Sequence, residues 1–157
     1  PIPTDQAQHE LTHLRILLEC EGACLSIRQG GIDWESRLTA AHHKLSHIEK
    51  RVRGSADHMP LFILWAKAEQ AFHETLISDC GSDVLKATHA MIYQRFRQQV
   101  FNSDKKFVFV VENIEQHQGI LDAALMRDEA LIRSRIYSHL ERNLVFDMPP
   151  ELPKLPY

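Results

Sequence analysis

Apolar residues recur along most of this chain at intervals of three and four positions, which is the spacing of one face of an α-helix. The alternating apolar and polar pattern of a half-buried strand is nearly absent. The sequence therefore predicts an all-α fold, an antiparallel bundle of six to seven helices. We expect helices at residues 5–28, 34–53, 60–79 and 84–101, then from the capping run 102–104 to residue 126, and from the junction 127–128 to residue 147.

Chain length and the C-terminal residues predict the domain organisation. A chain of 157 residues has the usual size of one domain, so we assign residues 1–147 to a single helical domain. Residues 148–157 are rich in proline, which excludes a helix and predicts an extended tail. The first residue is not Met, and we therefore expect the sequence to be a piece of a longer protein.

Charge, apolar runs and cysteine content exclude several classes of protein. The 18 basic and 21 acidic residues give a formal net charge of −3 without a basic stripe, so this chain alone is not expected to bind DNA. Its apolar runs fall short of the roughly 20 residues that span a bilayer, and residues 1–4 lack the features of a signal peptide. Three cysteines, an odd and small number, favour a reducing compartment, and we expect the cytoplasm.

Ten residues are histidines, and helical periodicity separates the candidate metal ligands among them from the others. Glu69 and His73 lie one turn apart on the apolar side of the third predicted helix, and His117 and His139 lie on the apolar sides of the fifth and sixth. Buried imidazoles and carboxylates are costly without partners, so these four residues predict a cation site. Their nitrogen and oxygen ligands suit a divalent Zn²⁺, Ni²⁺ or Mn²⁺ ion. A set of hydrogen-bonded core histidines remains the alternative, because periodicity does not show that the helices converge.

The first predicted helix is apolar on two sides. One side carries Leu11, Leu14, Leu18 and Leu25, and the other carries Ile16, Cys20, Ala23 and Ile27. A small domain rarely covers both sides of one helix, so we expect a homodimer in which a partner subunit covers one of them.

Several short motifs occur in an order and spacing that resemble a known family. They are the run from Trp65 to Leu76, Cys80-Gly81-Ser82, Glu115-Gln116-His117-Gln118-Gly119-Ile120, Arg127-Asp128 and His139-Leu140, with Arg15 followed four residues later by Glu19. The three histidines are separated by 44 and 22 residues. Together these motifs resemble the FCD domain, the effector-binding C-terminal domain of FadR-subfamily GntR transcription regulators, with the CsiR-like branch as the nearest. The resemblance covers most of the chain.

This resemblance implies a helical bundle that holds a divalent metal through an acidic residue and three histidines, with a small carboxylate effector at or beside the metal. It also implies a winged-helix DNA-binding domain that precedes this domain and is absent from the sequence. The family usually has Asp four residues before the first histidine, where this chain has Glu69. The extra methylene leaves open whether Glu69 ligates directly, ligates through water or does not ligate.

Further residues are predicted to bind the effector through its carboxylate groups. Arg15, together with Arg95 or Arg97 on the fourth helix, offers the planar guanidinium that pairs with carboxylates. Asn143, one turn after His139, is a further candidate for the effector site. These assignments rest on spacing and on residue chemistry.

Two other classes of function remain open. A helical-bundle metalloenzyme would use the same ligands, with Glu69 as a general base if it does not bind the metal. A structural interaction bundle would leave the inward histidines without any metal. Metal analysis of the purified protein separates the last class from the other two.

Overall fold

The computed structural model describes the backbone of residues 4–53, 59–101 and 106–143. It describes the burial and contacts of side chains for residues 4–52, 60–98 and 113–142. Most of these residues are helical and none of them lies in a strand, which confirms the predicted all-α class. The helices are α1 (Asp5–Gln29), α2 (Ile32–Arg53), α3 (Met59–Leu76), α4 (Asp83–Phe101), α5 (Lys106–Leu125) and α6 (Glu129–Leu140), followed by a 3₁₀ turn at Glu141–Asn143.

Side-chain caps and left-handed residues set several helix ends. Thr4 begins α1 by accepting a 3.0 Å hydrogen bond from the Ala7 backbone N–H, and Asp128 begins α6 by accepting one of 2.9 Å from Leu131. Gly81, with a φ of 77°, lies in the turn between α3 and α4, where a residue without Cβ tolerates that conformation. Local sequence thus determines where these elements begin and turn.

Five helices form a closed ring in the order α1, α6, α5, α2 and α3, and α4 packs against α1 and α3. Helices α1 and α6 are antiparallel, because Cys24 lies beside Glu129 and Cys20 lies beside Arg133. The apolar core inside the ring includes Trp34, Phe72 and Ile136. Each helix of the ring therefore presents one face to a common interior.

Two helix ends differ from the sequence-based prediction by three residues or more. Helix α3 ends at Leu76 and not at 79, because the chain turns through Thr75–Ser78 and Ile77–Cys80 backbone hydrogen bonds. Helix α6 ends at Leu140 and is followed by the 3₁₀ turn. The predicted continuation of the α-helix toward residue 147 is therefore wrong for residues 141–143. The capping run 102–104 and the proline-rich tail 148–157 lie outside the described residues.

The two apolar sides of α1 have different surroundings. Ile16, Cys20, Ala23 and Ile27 are buried in the core, whereas Leu14 is 38% exposed and Leu18 and Leu25 are half-buried. Leu11, on the same side as these leucines, is buried, so the described residues leave part of the leucine side of α1 uncovered, mainly at Leu14. Among the described residues, none of the helices is long and apolar enough to cross a membrane.

Candidate metal centre

The ring of helices brings the four predicted ligands together in its interior. Glu69 and His73 come from α3, His117 from α5 and His139 from α6, and one ligand atom from each lies within 4.8 Å of all the others. All four side chains are buried. The rings of His117 and His139 have centroids 4.6 Å apart, and those of His73 and His139 are stacked at 5.3 Å. The helices thus converge as the metal-site prediction requires.

The Nδ1 atom of each histidine faces a side-chain oxygen. His73 Nδ1 lies 3.0 Å from Glu19 Oε2, and His117 Nδ1 lies 3.2 Å from the Glu49 carboxylate. The third pair consists of His139 Nδ1 and Gln116 Oε1, which are 2.9 Å apart. Because a carboxylate only accepts hydrogen bonds, each of the first two imidazoles carries its proton on Nδ1.

The opposite nitrogen of these rings is the one available to a ligand. Nε2 of His73 and Nε2 of His117 are buried and make no hydrogen bond within the described part of the chain. A histidine that binds a metal through one nitrogen typically donates its other N–H to a carboxylate or carbonyl, which fixes the tautomer and the ring orientation. The arrangement of His73 with Glu19, and of His117 with Glu49, has this form.

Electrostatics within the cluster favour a cation between His73 and Glu69. Burial lowers the pKa of His73, but the charges of Glu19 and Glu69 outweigh burial and raise that pKa to about 9. Burial likewise raises the pKa of Glu69, while the positive charge of His73, 3.0 Å away, lowers that pKa to about 2. The 3.0 Å contact between His73 Nε2 and Glu69 Oε1 is therefore stable when a proton or a metal ion lies there.

The donor set fits a divalent metal ion. Three imidazoles and one carboxylate are the ligands that Zn²⁺ and related borderline ions accept, at about 2.0 to 2.2 Å. Such bond lengths place tetrahedral ligand atoms about 3.4 Å apart, so closing the observed spacing needs shifts of roughly an ångström. Glu69 lies within this set despite its extra methylene, which makes direct ligation geometrically accessible.

Arg15 lies beside the cluster and is almost entirely buried, with 1% of its surface exposed. Its Nε donates a 2.8 Å hydrogen bond to Glu19 Oε1, and its guanidinium stacks on the rings of Tyr93 and Phe96, each at 4.5 Å. Its Nη2 is 3.6 Å from Glu69 Oε1 and makes no hydrogen bond within the described residues. One donor of Arg15 is therefore oriented toward the cluster without an acceptor.

The other predicted effector residues differ in their positions. Arg97 Nη1 donates a 3.0 Å hydrogen bond to Gln70, and its Nη2 contacts the Ala66 carbonyl and lies 3.9 Å from Glu69 Oε2. Arg95 is exposed, so of the two arginines only Arg97 reaches the cluster. The structure describes the backbone of Asn143 but not the contacts of its side chain, so its predicted role stays a prediction.

Several polar residues around the candidate ligands escaped the sequence analysis; Glu49 and His89 are buried, and Gln116 is half-buried. Glu49 and Gln116 orient His117 and His139, and His89 lies with its Nε2 3.0 Å from Glu19 Oε1. Two of them carried a detectable signal: Glu49 is four residues after the buried Leu45, and His89 is three residues before the buried Ile92. A charged or polar residue on an apolar helix face is costly unless it has a partner, and that cost was the available clue.

The FCD domain model matches residues 10–142, which is most of the chain. The chain belongs to the FCD family. This FCD domain is 30% identical over 139 residues to the HTH-type transcriptional regulator BphR of Paraburkholderia xenovorans, an alignment that covers 86% of the chain and 54% of the relative. It is 28% identical over 141 residues to the HTH-type transcriptional repressor GlaR of Escherichia coli, covering 87% and 62%.

These matches confirm the resemblance to the effector-binding domain of GntR-family regulators. The FCD domain spans somewhat more than half the length of the two curated relatives. No solved structure matched this FCD domain significantly.

Glu49→Gln is expected to weaken zinc affinity of the FCD domain about 10- to 100-fold, the usual effect of losing an acceptor behind a histidine ligand. The Glu49 carboxylate accepts hydrogen bonds from both His117 and the indole of Trp65, and an amide offers only one oxygen to these two donors. Competition with a chromophoric chelator measures the affinity. The control is Glu35→Gln, a change on the same helix as Glu49 that removes an exposed ion pair with Arg127. This variant should leave the zinc affinity unchanged. Equal affinity for both variants would contradict the assigned role of Glu49.

Proposed function

We propose that this chain is the ligand-sensing domain of a bacterial GntR/FadR-type transcription regulator. It binds one divalent metal through His73, His117, His139 and Glu69, and a small carboxylate effector beside that metal. Effector binding would modulate DNA binding by a winged-helix domain outside this sequence. The observation that carries the proposal is the convergence of the four ligand atoms within 4.8 Å, in a chain whose relatives are transcription regulators.

Effector binding follows from the charges around the ligand cluster. A divalent ion held by four side chains retains net positive charge and accepts a further ligand, and a carboxylate meets both requirements. Arg15 provides a guanidinium donor 3.6 Å from Glu69, and Arg97 provides a second positive group 3.9 Å from it. We therefore expect dicarboxylates and hydroxy acids to be the favoured effectors.

A regulatory effect requires that the effector bind two states of the protein with different affinity. The effector would contact residues of α1 and α4 together with the ligands of α3, α5 and α6. A change in the relative positions of these helices would alter how two subunits are paired, and hence the spacing of the DNA-binding domains attached to them. The bound metal supplies a fixed positive charge for the effector to bind.

A carboxylate panel tests this proposal by thermal shift. A bound acid at 100 times its Kd adds about 2.7 kcal/mol to the free energy of unfolding, which raises the Tm of a domain of this size by roughly 5 to 10 °C. The response should vanish in His117→Ala and after chelation, and should persist in His47→Ala, a change at an exposed histidine of α2. A response that survives both treatments would place the effector elsewhere.

The metalloenzyme alternative has less support from the geometry. Glu69 lies among the ligand atoms, and the other buried carboxylates of the described residues, Glu19 and Glu49, accept hydrogen bonds from histidine Nδ1 atoms. Each of these carboxylates already has a close partner, so it would have to lose that contact in order to act as a general base. Steady conversion of any bound acid by the metal-loaded chain would favour the enzyme over the sensor.

We also propose that a second copy of the chain covers the exposed leucine side of α1. On one face of the helix, Leu14 is exposed and Leu18 and Leu25 are only half-buried by the described residues, so each retains apolar surface for a partner. Light scattering should give twice the chain mass of 18.1 kDa at micromolar concentration. Leu14→Glu should shift the mass toward one chain, because a buried carboxylate at an apolar interface is unpaired. Ile63→Glu, on the exposed side of α3, is the control and should remain dimeric.

A further inference from the structure

Asn113 on α5 is a buried polar residue that neither the ligand cluster nor its hydrogen-bond acceptors use. Only 4% of its surface is exposed, and its Oδ1 atom is buried without a hydrogen-bond partner in the described part of the chain. Native proteins rarely leave such an atom unsatisfied. The side chain therefore calls for a donor that is not provided by its surroundings.

The position of Asn113 places it next to the ligand cluster. It lies four residues, about one turn, before His117 on the buried face of α5, where residues four apart have Cβ atoms about 5 to 6 Å from each other. Helical side chains lean toward the N-terminus of their helix, so the imidazole of His117 extends over the turn that contains Asn113. Asn113 thus neighbours His117 on the buried face of α5.

Arg15 and Asn113 supply complementary hydrogen-bonding groups. Arg15 Nη2 is a buried donor without an acceptor, and Asn113 Oδ1 is a buried acceptor without a donor. Arg15 Nη2 lies 3.6 Å from Glu69, and Asn113 lies one turn before His117 on α5, so each neighbours one of the candidate ligands. A molecule that satisfies both must carry an acceptor with negative charge and, separately, a hydrogen-bond donor.

A hydroxyl group fits the donor requirement better than an ammonium group does. An ammonium would add a positive charge close to Arg15 and to a divalent ion, and like charges repel strongly in a buried site. A hydroxyl is neutral and both donates and accepts, so it pairs with the amide of Asn113 in either orientation of that amide. The required ligand is then a carboxylate that also carries a hydroxyl.

We infer that Asn113 is a specificity-determining residue that recognises the hydroxyl of a hydroxycarboxylate effector, while Arg15 pairs with its carboxylate. The inference rests on the proposed function, since it assumes that the effector binds beside the metal. A hydroxy acid should bind about 10- to 100-fold tighter than the same acid without its hydroxyl, because the latter leaves the amide oxygen unpaired.

Calorimetry on the zinc-loaded chain tests this inference with acids that differ by one hydroxyl. The pairs are lactate and propionate, malate and succinate, and citrate and tricarballylate. In each pair that binds the unmodified chain, the hydroxy acid should bind about 10- to 100-fold more tightly than the acid without the hydroxyl. In Asn113→Leu, and in the smaller Asn113→Ala, its affinity should fall to that of the partner acid, which itself should change little. Gln118→Leu, at an exposed position of the same helix, should retain the discrimination.

The outcomes separate this inference from the proposed function. Equal affinity within every binding pair, or discrimination that survives both Asn113 variants, would overturn the role of Asn113 and leave the carboxylate sensor intact. Absence of binding by all six acids to the zinc-loaded chain would overturn the carboxylate sensor, and the inference with it. Zinc binding is measured separately in each variant, and an unchanged zinc affinity shows that the ligand cluster is intact.

Discussion

Removing the metal is expected to lower the Tm of this chain by on the order of 10 °C. A metal present at about a thousand times its Kd adds about 4 kcal/mol to the free energy of unfolding, and each kcal/mol corresponds to roughly 2 to 4 °C for a domain of this size. The physical source is the cluster itself, in which Glu69 and three imidazoles converge in the core. Differential scanning calorimetry with and without EDTA measures the difference.

Two variants and a mass measurement control this experiment. His117→Ala should melt at a similar temperature with and without EDTA, because losing one of four ligands removes roughly a quarter of a metal-binding free energy of about 10 to 16 kcal/mol. His47→Ala, at an exposed position, should retain the EDTA effect. Native mass spectrometry should show one metal ion per chain. A chain without metal, whose Tm is insensitive to EDTA, would refute the metal site.

Glu19→Gln is expected to destabilise the chain by about 3 to 5 kcal/mol, the usual cost of leaving a buried charge without its partner. The Glu19 carboxylate contacts Arg15, His73 and His89 through both oxygens, at 2.8 to 3.0 Å. Although burial raises the pKa of Glu19, the charges of Arg15 and His73 hold it well below its usual value. A neutral amide offers one acceptor to these three donors and no compensating charge.

Urea unfolding of metal-free protein measures the Glu19 effect without a contribution from the metal. Glu10→Gln is the matched control, because Glu10 is an exposed residue of the same helix whose side chain contacts Gln6 at 3.4 Å. An exposed change of this kind typically alters the free energy of unfolding by less than about 0.5 kcal/mol. If Glu19→Gln were as mild as the control, the buried network around Arg15 would not contribute to stability.

The pH dependence of the Glu19 contribution has a defined sign. A carboxyl group whose pKa is lower in the folded state stabilises that state above its unfolded pKa, and the contribution is lost as pH falls through the folded value. The stability difference between the unmodified chain and Glu19→Gln should therefore be largest near neutral pH and decrease in strong acid.

Helical periodicity pointed to the four candidate ligands because each lies on the apolar face of its own helix, where a polar residue is conspicuous. Glu69 and His73 were also linked by their spacing of one turn. Convergence of α3, α5 and α6 was not predictable from periodicity, since packing partners are set by long-range contacts. The motif order of the FCD resemblance supplied that missing information, and the matching family model supports it.

The residues behind the ligands were missed for a different reason. Glu49 lies on the apolar face of α2, but a single glutamate there has no local partner that would reveal its role. Its partners, His117 and Trp65, lie 68 and 16 residues away in sequence. The end of α6 was misplaced because nothing in its local sequence marks the change from α-helix to 3₁₀ turn at Glu141.

The closed ring of helices makes the cluster a product of the complete fold. Its ligands and their acceptors come from five helices, from Glu19 on α1 to His139 on α6. Bringing such distant positions together incurs the loop-closure entropy of most of the chain, so a partly folded chain cannot present the full set. We therefore expect metal binding to be coupled to cooperative folding, with the ion retained by the intact domain and released when any one helix of the ring opens.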